Sequence, residues 1–193
     1  MPTKQGSQTF VFPTKPVLVG WATVAGPKEG QGPVGSYLDK VFPDLIMKQT
    51  SFEKAELLMM NTAVETALEK SSLSKDQVDV FVAGDLLNQI ITSGFTALKV
   101  GASYLGIFGA CSSFCEGLII AGLLVDSGAA QNVVTATSSH NCTAERQYRY
   151  PTEYGVQLPP WAQHTVTGAA ATVLAAQGVG PTLELATVGK VMD

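Results

Sequence analysis

The sequence predicts an α/β fold. Three observations carry that reading: short apolar, β-branched runs, segments of helical period between them, and glycine or proline at most of the changeovers. Strands that alternate with helices imply right-handed crossovers and a mainly parallel sheet with helices on both faces.

Residues 16–25 (PVLVGWATVA) are apolar and end at Gly26-Pro27, which reads as a buried first strand. The glycine- and proline-rich stretch to Pro43 reads as an ordered loop. Thr50 followed by Glu53 has the form of a capping box, and Ala55, Met59, Met60, Ala63, Val64, Ala67 and Leu68 then recur at helical spacing to about Lys70. Residues 78–83 (VDVFVA) give a second strand ending at Gly84-Asp85, and a weaker helix follows over 93–100. A third strand is expected over 104–108. After Gly109-Ala110 comes Cys111-Ser112-Ser113 and a run to Val125 that is apolar on nearly all sides, stopped by Gly128. A helix without a polar face is expected to be buried all round. Residues 132–138 (NVVTATS) give a fourth strand, 140–161 an irregular polar and aromatic segment, and 170–176 and 182–188 two final strands. One sheet covers the all-apolar helix on one side only, so the second layer is expected from another subunit or from chain beyond this sequence.

With 193 residues, 46% hydrophobic and 15% charged, the chain has material for one packed domain. A net charge of -4 and the lack of a basic cluster argue against nucleic acid as a partner. No secretory signal is visible at the N-terminus, and the apolar run 118–125 is far short of a membrane span, so any membrane association is expected to be peripheral. Three cysteines without disulfide spacing fit free thiols in an intracellular, reducing compartment.

The order strand, Gly-Ala-Cys-Ser, buried helix, strand, then residues 167–171 (TGAAA) opening another strand is similar to that of thiolases and ketoacyl synthases. The blocks 25–29 (AGPKE), 83–89 (AGDLLNQ), 137–141 (TSSHN) and 144–155 (AERQYRYPTEYG) resemble, more closely, the stage V sporulation protein AD family within the thiolase-like superfamily. The resemblance implies a thiolase-like half: strand-helix repeats forming a mainly parallel five-stranded sheet, with a buried central helix after Cys111. It also implies that residues 1–193 are an N-terminal domain whose second half is absent from this chain. The implied function is non-catalytic binding of dipicolinic acid (pyridine-2,6-dicarboxylate) for its uptake into the forespore, with room for a part in its release during germination. No cofactor is implied, although calcium can accompany a ligand that chelates it. The implied partners are other stage V sporulation membrane proteins at the inner membrane of the forespore or spore, and further copies of the chain joined by thiolase-type sheet pairing.

Five kinds of residue are candidates for the site. Cys111 and Ser112 stand at a strand-to-helix turn, where helix amides can receive a carboxylate or an oxyanion. Asp85 and His140 each end a strand at the carboxyl edge of the sheet, where open α/β sheets place ligands, although an aspartate there also caps turns and a lone histidine is more often structural. Arg146 and Arg149 stand among Tyr148, Tyr150 and Tyr154, and a guanidinium can grip a carboxylate with two parallel hydrogen bonds. Cys115 and Cys142 read as structural, no metal site is expected, and His164 and the Lys28-Glu29 loop carry no specific signal. The alternative is an acyltransferase of the condensing-enzyme type with Cys111 as nucleophile, which needs a histidine from the second half. A third reading is a structural interaction module with a vestigial pocket.

Overall fold

The computed structural model describes residues 1–148, 161 and 163–191. Chain order is β1 (Thr3–Gln5), β2 (Thr9–Val11), β3 (Val17–Ala25), α1 (Pro27–Gly30), β4 (Lys40–Val41), α2 (Phe52–Ser71), β5 (Val80–Asp85), α3 (Ile91–Val100), β6 (Ser103–Gly106), α4 (Ser113–Asp126), β7 (Asn132–Ser139), α5 (Asn141–Tyr148), β8 (Gly168–Ala175) and β9 (Leu185–Thr187). The α/β class stands.

The main sheet has the order β4-β3-β8-β7-β5-β6. Its long members are five of the six strands expected from the apolar runs; the two-residue β4 adds a sixth member at one edge. Pairs β3/β4, β5/β6 and β5/β7 are parallel, whereas β8 runs antiparallel to both β3 and β7. The last expected strand does not join this sheet. Residues Leu185–Thr187 pair instead with β2, and β2 with β1, in a separate three-stranded antiparallel sheet.

Side-chain alternation sorts the sheet into two faces. Phe81, Ala83, Val134, Ala136, Ala171 and Val173 pack in one core with α2. Their neighbours Val82, Val133 and Leu174 face the other way, toward Ala121 and Val125 of α4. Helix α2 begins one residue later than the Thr50 reading: the extended Ser51 caps it, its Oγ accepting from Lys54 N at 3.3 Å. All seven expected apolar positions of α2 are buried.

Helix α4 departs from expectation. Gly117, Ala121 and Val125 face the sheet and are buried, but Leu118, Ile119 and Leu123 on the outer side are only half-buried and Cys115 is exposed. Some cover does come from the chain itself. A Cβ on Gly122 would lie 2.6 Å from Leu183 Cδ2 and 3.0 Å from Phe12 Cζ, so glycine lets the small sheet's flank press onto the C-terminal half of α4. The start of the segment expected to be irregular is helical, as α5.

Candidate functional site

Strand register brings the site to one edge. Asp85 of β5 pairs with Ser138 of β7, Ser138 with Ala169 of β8, and Gly168 with Ala25 of β3. The carboxyl ends of β3, β5 and β7 therefore finish level with one another, beside the start of β8.

The β6-to-α4 turn then crosses this edge. Ile107 N donates to Ala83 O at 3.0 Å, and a Cβ on Gly84 would sit 2.3 Å from Ile107 O; glycine is what allows the turn to lie against β5. Ala110 adopts a left-handed φ of 48°, a conformation that costs a non-glycine residue of the order of 1 kcal/mol. Its consequence is to lift Cys111 to the surface, where the side chain is exposed and makes no hydrogen bond among the described residues. Ser112 Oγ donates to Gly109 O at 2.7 Å and Gly109 N donates to Ser113 Oγ at 3.0 Å, so both hydroxyls lock the turn. No side chain caps the N-terminus of α4, which begins directly after this turn.

Beside the turn opens a cavity of about 740 Å³ whose walls include Cys111, Phe114, Ser138, Ser139, Glu29 and His164. Among the described lining residues there is no lysine or arginine. Glu29 reaches the wall from α1: its Oε1 accepts from Thr167 N at 3.0 Å, while its Oε2 is buried without a partner among the described residues.

The structure separates the other sequence candidates from this cavity. Asp85 is buried, and its carboxylate accepts from Leu87 N at 3.0 Å and from Ser93 N and Oγ at 2.7 and 2.8 Å. It ties the β5 end to the first turn of α3, the turn-capping use of aspartate. Burial pushes its carboxyl up, against the hydrogen bonds from Ser93 and Leu87. His140 is fully buried; Nε2 lies 2.8 Å from Leu45 O and Nδ1 accepts from Cys142 N at 3.2 Å, which fixes the Nε2-H tautomer. Burial holds its ring toward the neutral form. Arg146 pairs with Glu53 at 2.5 Å, donates from Nε to Cys142 O and lies over the Phe52 ring, so its guanidinium is turned to the start of α2. Arg149 lies outside the described residues. Burial raises the half-buried Cys142 thiol, in keeping with a structural role. Among the described residues no cluster of histidine, cysteine or carboxylate is arranged to hold a metal ion.

Sequence reasoning passed over Ser138, Ser139 and Glu56, which Ser138 contacts, and weighed Glu29 and His164 without assigning them to the site. Glu56 is 0% exposed, accepts from Ser138 Oγ at 2.8 Å, and burial raises it from the ordinary 4.5 to about 7. A signal was present: position 56 falls three and four residues before Met59 and Met60, a carboxylate set in the apolar stripe.

The model of the stage V sporulation protein AD family matches residues 6–193. Stage V sporulation protein AD of Bacillus subtilis (strain 168) is 48% identical over 189 residues, covering 97% of this chain and 56% of that protein. The chain thus spans about half the length of the curated relative it matches. Among solved structures, Xanthomonas campestris OleA with bound lauric acid and lauroyl-CoA superposes with a TM-score of 0.59 at 14% identity, over 83% of this chain and 56% of that one. The 3-oxoacyl-[acyl-carrier-protein] synthase III of Aquifex aeolicus VF5 gives 0.55 at 17% identity, over 83% and 53%. At such identities the likeness is one of fold: that of the thiolase-like condensing enzymes.

Proposed function

This chain belongs to the stage V sporulation protein AD family, a family of sporulation proteins, and on that premise we propose that it binds dipicolinic acid without transforming it, for uptake into the forespore. The observation that supports this most is the cavity of about 740 Å³ at the carboxyl edge of the sheet, within the size range of small-molecule sites and beside the uncapped start of α4. Helix amides there attract one carboxylate. Ser138 and Ser139 line the same cavity as candidates for the other, their hydroxyls resting on Glu56 Oε1 at 2.8 Å and Val166 O at 2.6 Å. Arg146, engaged with Glu53, is not the second anchor in this conformation. Calcium enters this reading as a companion of the ligand.

Binding without chemistry is favoured by Cys111, which has no hydrogen-bonded base among the described residues. One observation favours acyl transfer as a second reading: His164 lines the same cavity as Cys111. As to assembly, β6 is an edge strand of the main sheet and the exposed Phe95, Leu98, Leu105 and Phe108 lie on or near it, a surface suited to pairing with a second copy. Among the described residues no helix is long and apolar enough to cross a membrane. Work alongside membrane-embedded stage V sporulation proteins would then be peripheral, at the inner membrane.

Calorimetric titration with dipicolinate, with and without calcium, tests the reading on this chain and on its full-length relative. Saturable binding that weakens in Ser138→Ala, with the fold intact, supports it. A folded protein that ignores dipicolinate but takes an acyl group onto Cys111 from a thioester moves the assignment to the acyltransferase.

A further inference from the structure

The Ser138 wall of the cavity has a second layer. Ser138 lines the cavity, and its Oγ donates to Glu56 Oε1 at 2.8 Å. The other carboxyl oxygen of Glu56 lies 3.0 Å from Thr143 Oγ1, in the first turn of α5. Thr143 Oγ1 is also 2.9 Å from His140 O. A threonine hydroxyl carries one hydrogen and cannot donate to both oxygens. A proton on Glu56 lets all of these contacts stand at once: Glu56 donates to Thr143, and Thr143 to His140 O, which also accepts from Ala144 N at 3.0 Å.

The surroundings agree with a neutral acid. Glu56 is fully buried, and the charged groups that act on it are two further carboxylates, Asp85 from β5 and Glu53 one turn earlier on α2. Arg146 is paired with Glu53, and among the described residues no cation pairs with Glu56. Burial first, and then the charges of Asp85 and Glu53, push its titration up to about 7, against the hydrogen bonds from Ser138 and Thr143.

We infer that Glu56 is a proton-linked positioning residue for the cavity: only in its neutral form does it free the Ser138 hydroxyl to donate to an anionic ligand. When the carboxyl group flips about its Cγ–Cδ bond, its proton turns from Thr143 to Ser138 Oγ, and the Ser138 hydrogen swings into the cavity. Thr143 then donates to the vacated Glu56 oxygen, and His140 O keeps its bond from Ala144 N at 3.0 Å. No proton is gained or lost, and every buried group stays paired. An ionised Glu56 accepts at both oxygens, holds the Ser138 hydrogen, and leaves only serine lone pairs facing the ligand.

The inference rests on the proposed binding of a carboxylate in this cavity, and the experiment separates the two. Dipicolinate affinity is measured at pH 6 and pH 8 for the unaltered protein, Glu56→Gln and Ser138→Ala. The unaltered protein is expected to lose about tenfold, the change in neutral fraction of an acid that titrates near 7. Glu56→Gln, whose amide donates at every pH, is expected to bind equally at both, and Ser138→Ala to bind at pH 6 as weakly as the unaltered protein does at pH 8. Equal pH slopes in the unaltered protein and Glu56→Gln overturn the inference. If dipicolinate binds at neither pH, the ligand assignment fails alone; the melting temperatures of the unaltered protein and Glu56→Gln then decide. A gap between them that opens from pH 5 to pH 8 supports a neutral, proton-linked Glu56, and a constant gap overturns it.

Discussion

Helices α2 and α4 lie on opposite faces of the same sheet and use it differently. Helix α2 has a polar outer side and buries a full stripe from Ala55 to Leu68 against β3, β8 and β7, with Met59 and Met60 fully enclosed. Helix α4 buries mostly small residues, Ser113, Gly117, Ala121 and Gly122, with Val125 and Asp126, and leaves its large ones at Leu118, Ile119 and Leu123 half-open. A periodic pattern thus says which side of a helix meets its own sheet. A pattern apolar all round says that more cover is needed, and here Phe12 and Leu183 supply part of it at Gly122. The contrast is sharpest in a truncation on the closed side. Met60→Ala is expected to cost about 2–5 kcal/mol, by analogy with large-to-small changes in close-packed cores, and urea unfolding would measure it.

The closed side also carries the buried acid, so pH should act on the two faces unequally. Glu56 titrates near 7 when folded and near 4.5 when unfolded, so the folded state holds the extra proton between these values. Stability is then fullest below pH 4.5 as far as this group is concerned, declines as pH rises toward 7, and is lower by about 3 kcal/mol above it. Glu65 works in the opposite sense and at lower pH, because the hydrogen bond from Lys99 holds its carboxyl down. Subtracting the Glu56→Gln curve from that of the unaltered protein isolates the Glu56 component; a flat difference from pH 4.5 to 8 would mean that the acid is not neutral in the fold.

These two faces also mark what can be read from sequence. The strands β3, β5, β6, β7 and β8 were legible because β-branched apolar runs leave few alternatives, and α2 because its stripe recurs at helical spacing. Strand direction was not legible: β8 looks like its neighbours in composition, and only the path of the chain reverses it. The diversion of Leu185–Thr187 into a small sheet depends on pairing with β2, a contact across most of the chain that local pattern does not encode. At the site, Gly-Ala-Cys at a strand-helix turn did mark the cavity mouth. Asp85 and His140 were placed correctly along their strands, but edge position does not say where a side chain points, and both are turned to backbone partners. Glu56 needed no new information, only the question of why a carboxylate stands inside an apolar stripe.

The backbone role of Asp85 leads to a smaller effect. Asp85→Ala leaves the Leu87 and Ser93 amides and the Ser93 hydroxyl without their acceptor in a buried turn, and is expected to cost about 1–3 kcal/mol in thermal or chemical unfolding. A variant that melts normally yet loses dipicolinate would return Asp85 to the ligand.

The open side gives the smallest stability change and the cleanest test of the comparison. Ile119 lies opposite Gly117 and Ala121 on α4, is half-buried, and takes no part in the core packed on that face. Ile119→Ser is therefore expected to change unfolding free energy by about 0.5 kcal/mol or less in this chain, the usual range for substitutions away from packed features. Its larger consequence is expected in self-association, because a polar residue interrupts the apolar strip formed with Leu118 and Leu123. Sedimentation at rising concentration would show it as a shift toward monomer. If Ile119→Ser instead destabilised the chain as much as Met60→Ala, the outer side of α4 would be enclosed within a single copy, and the two faces of the sheet would differ in composition alone.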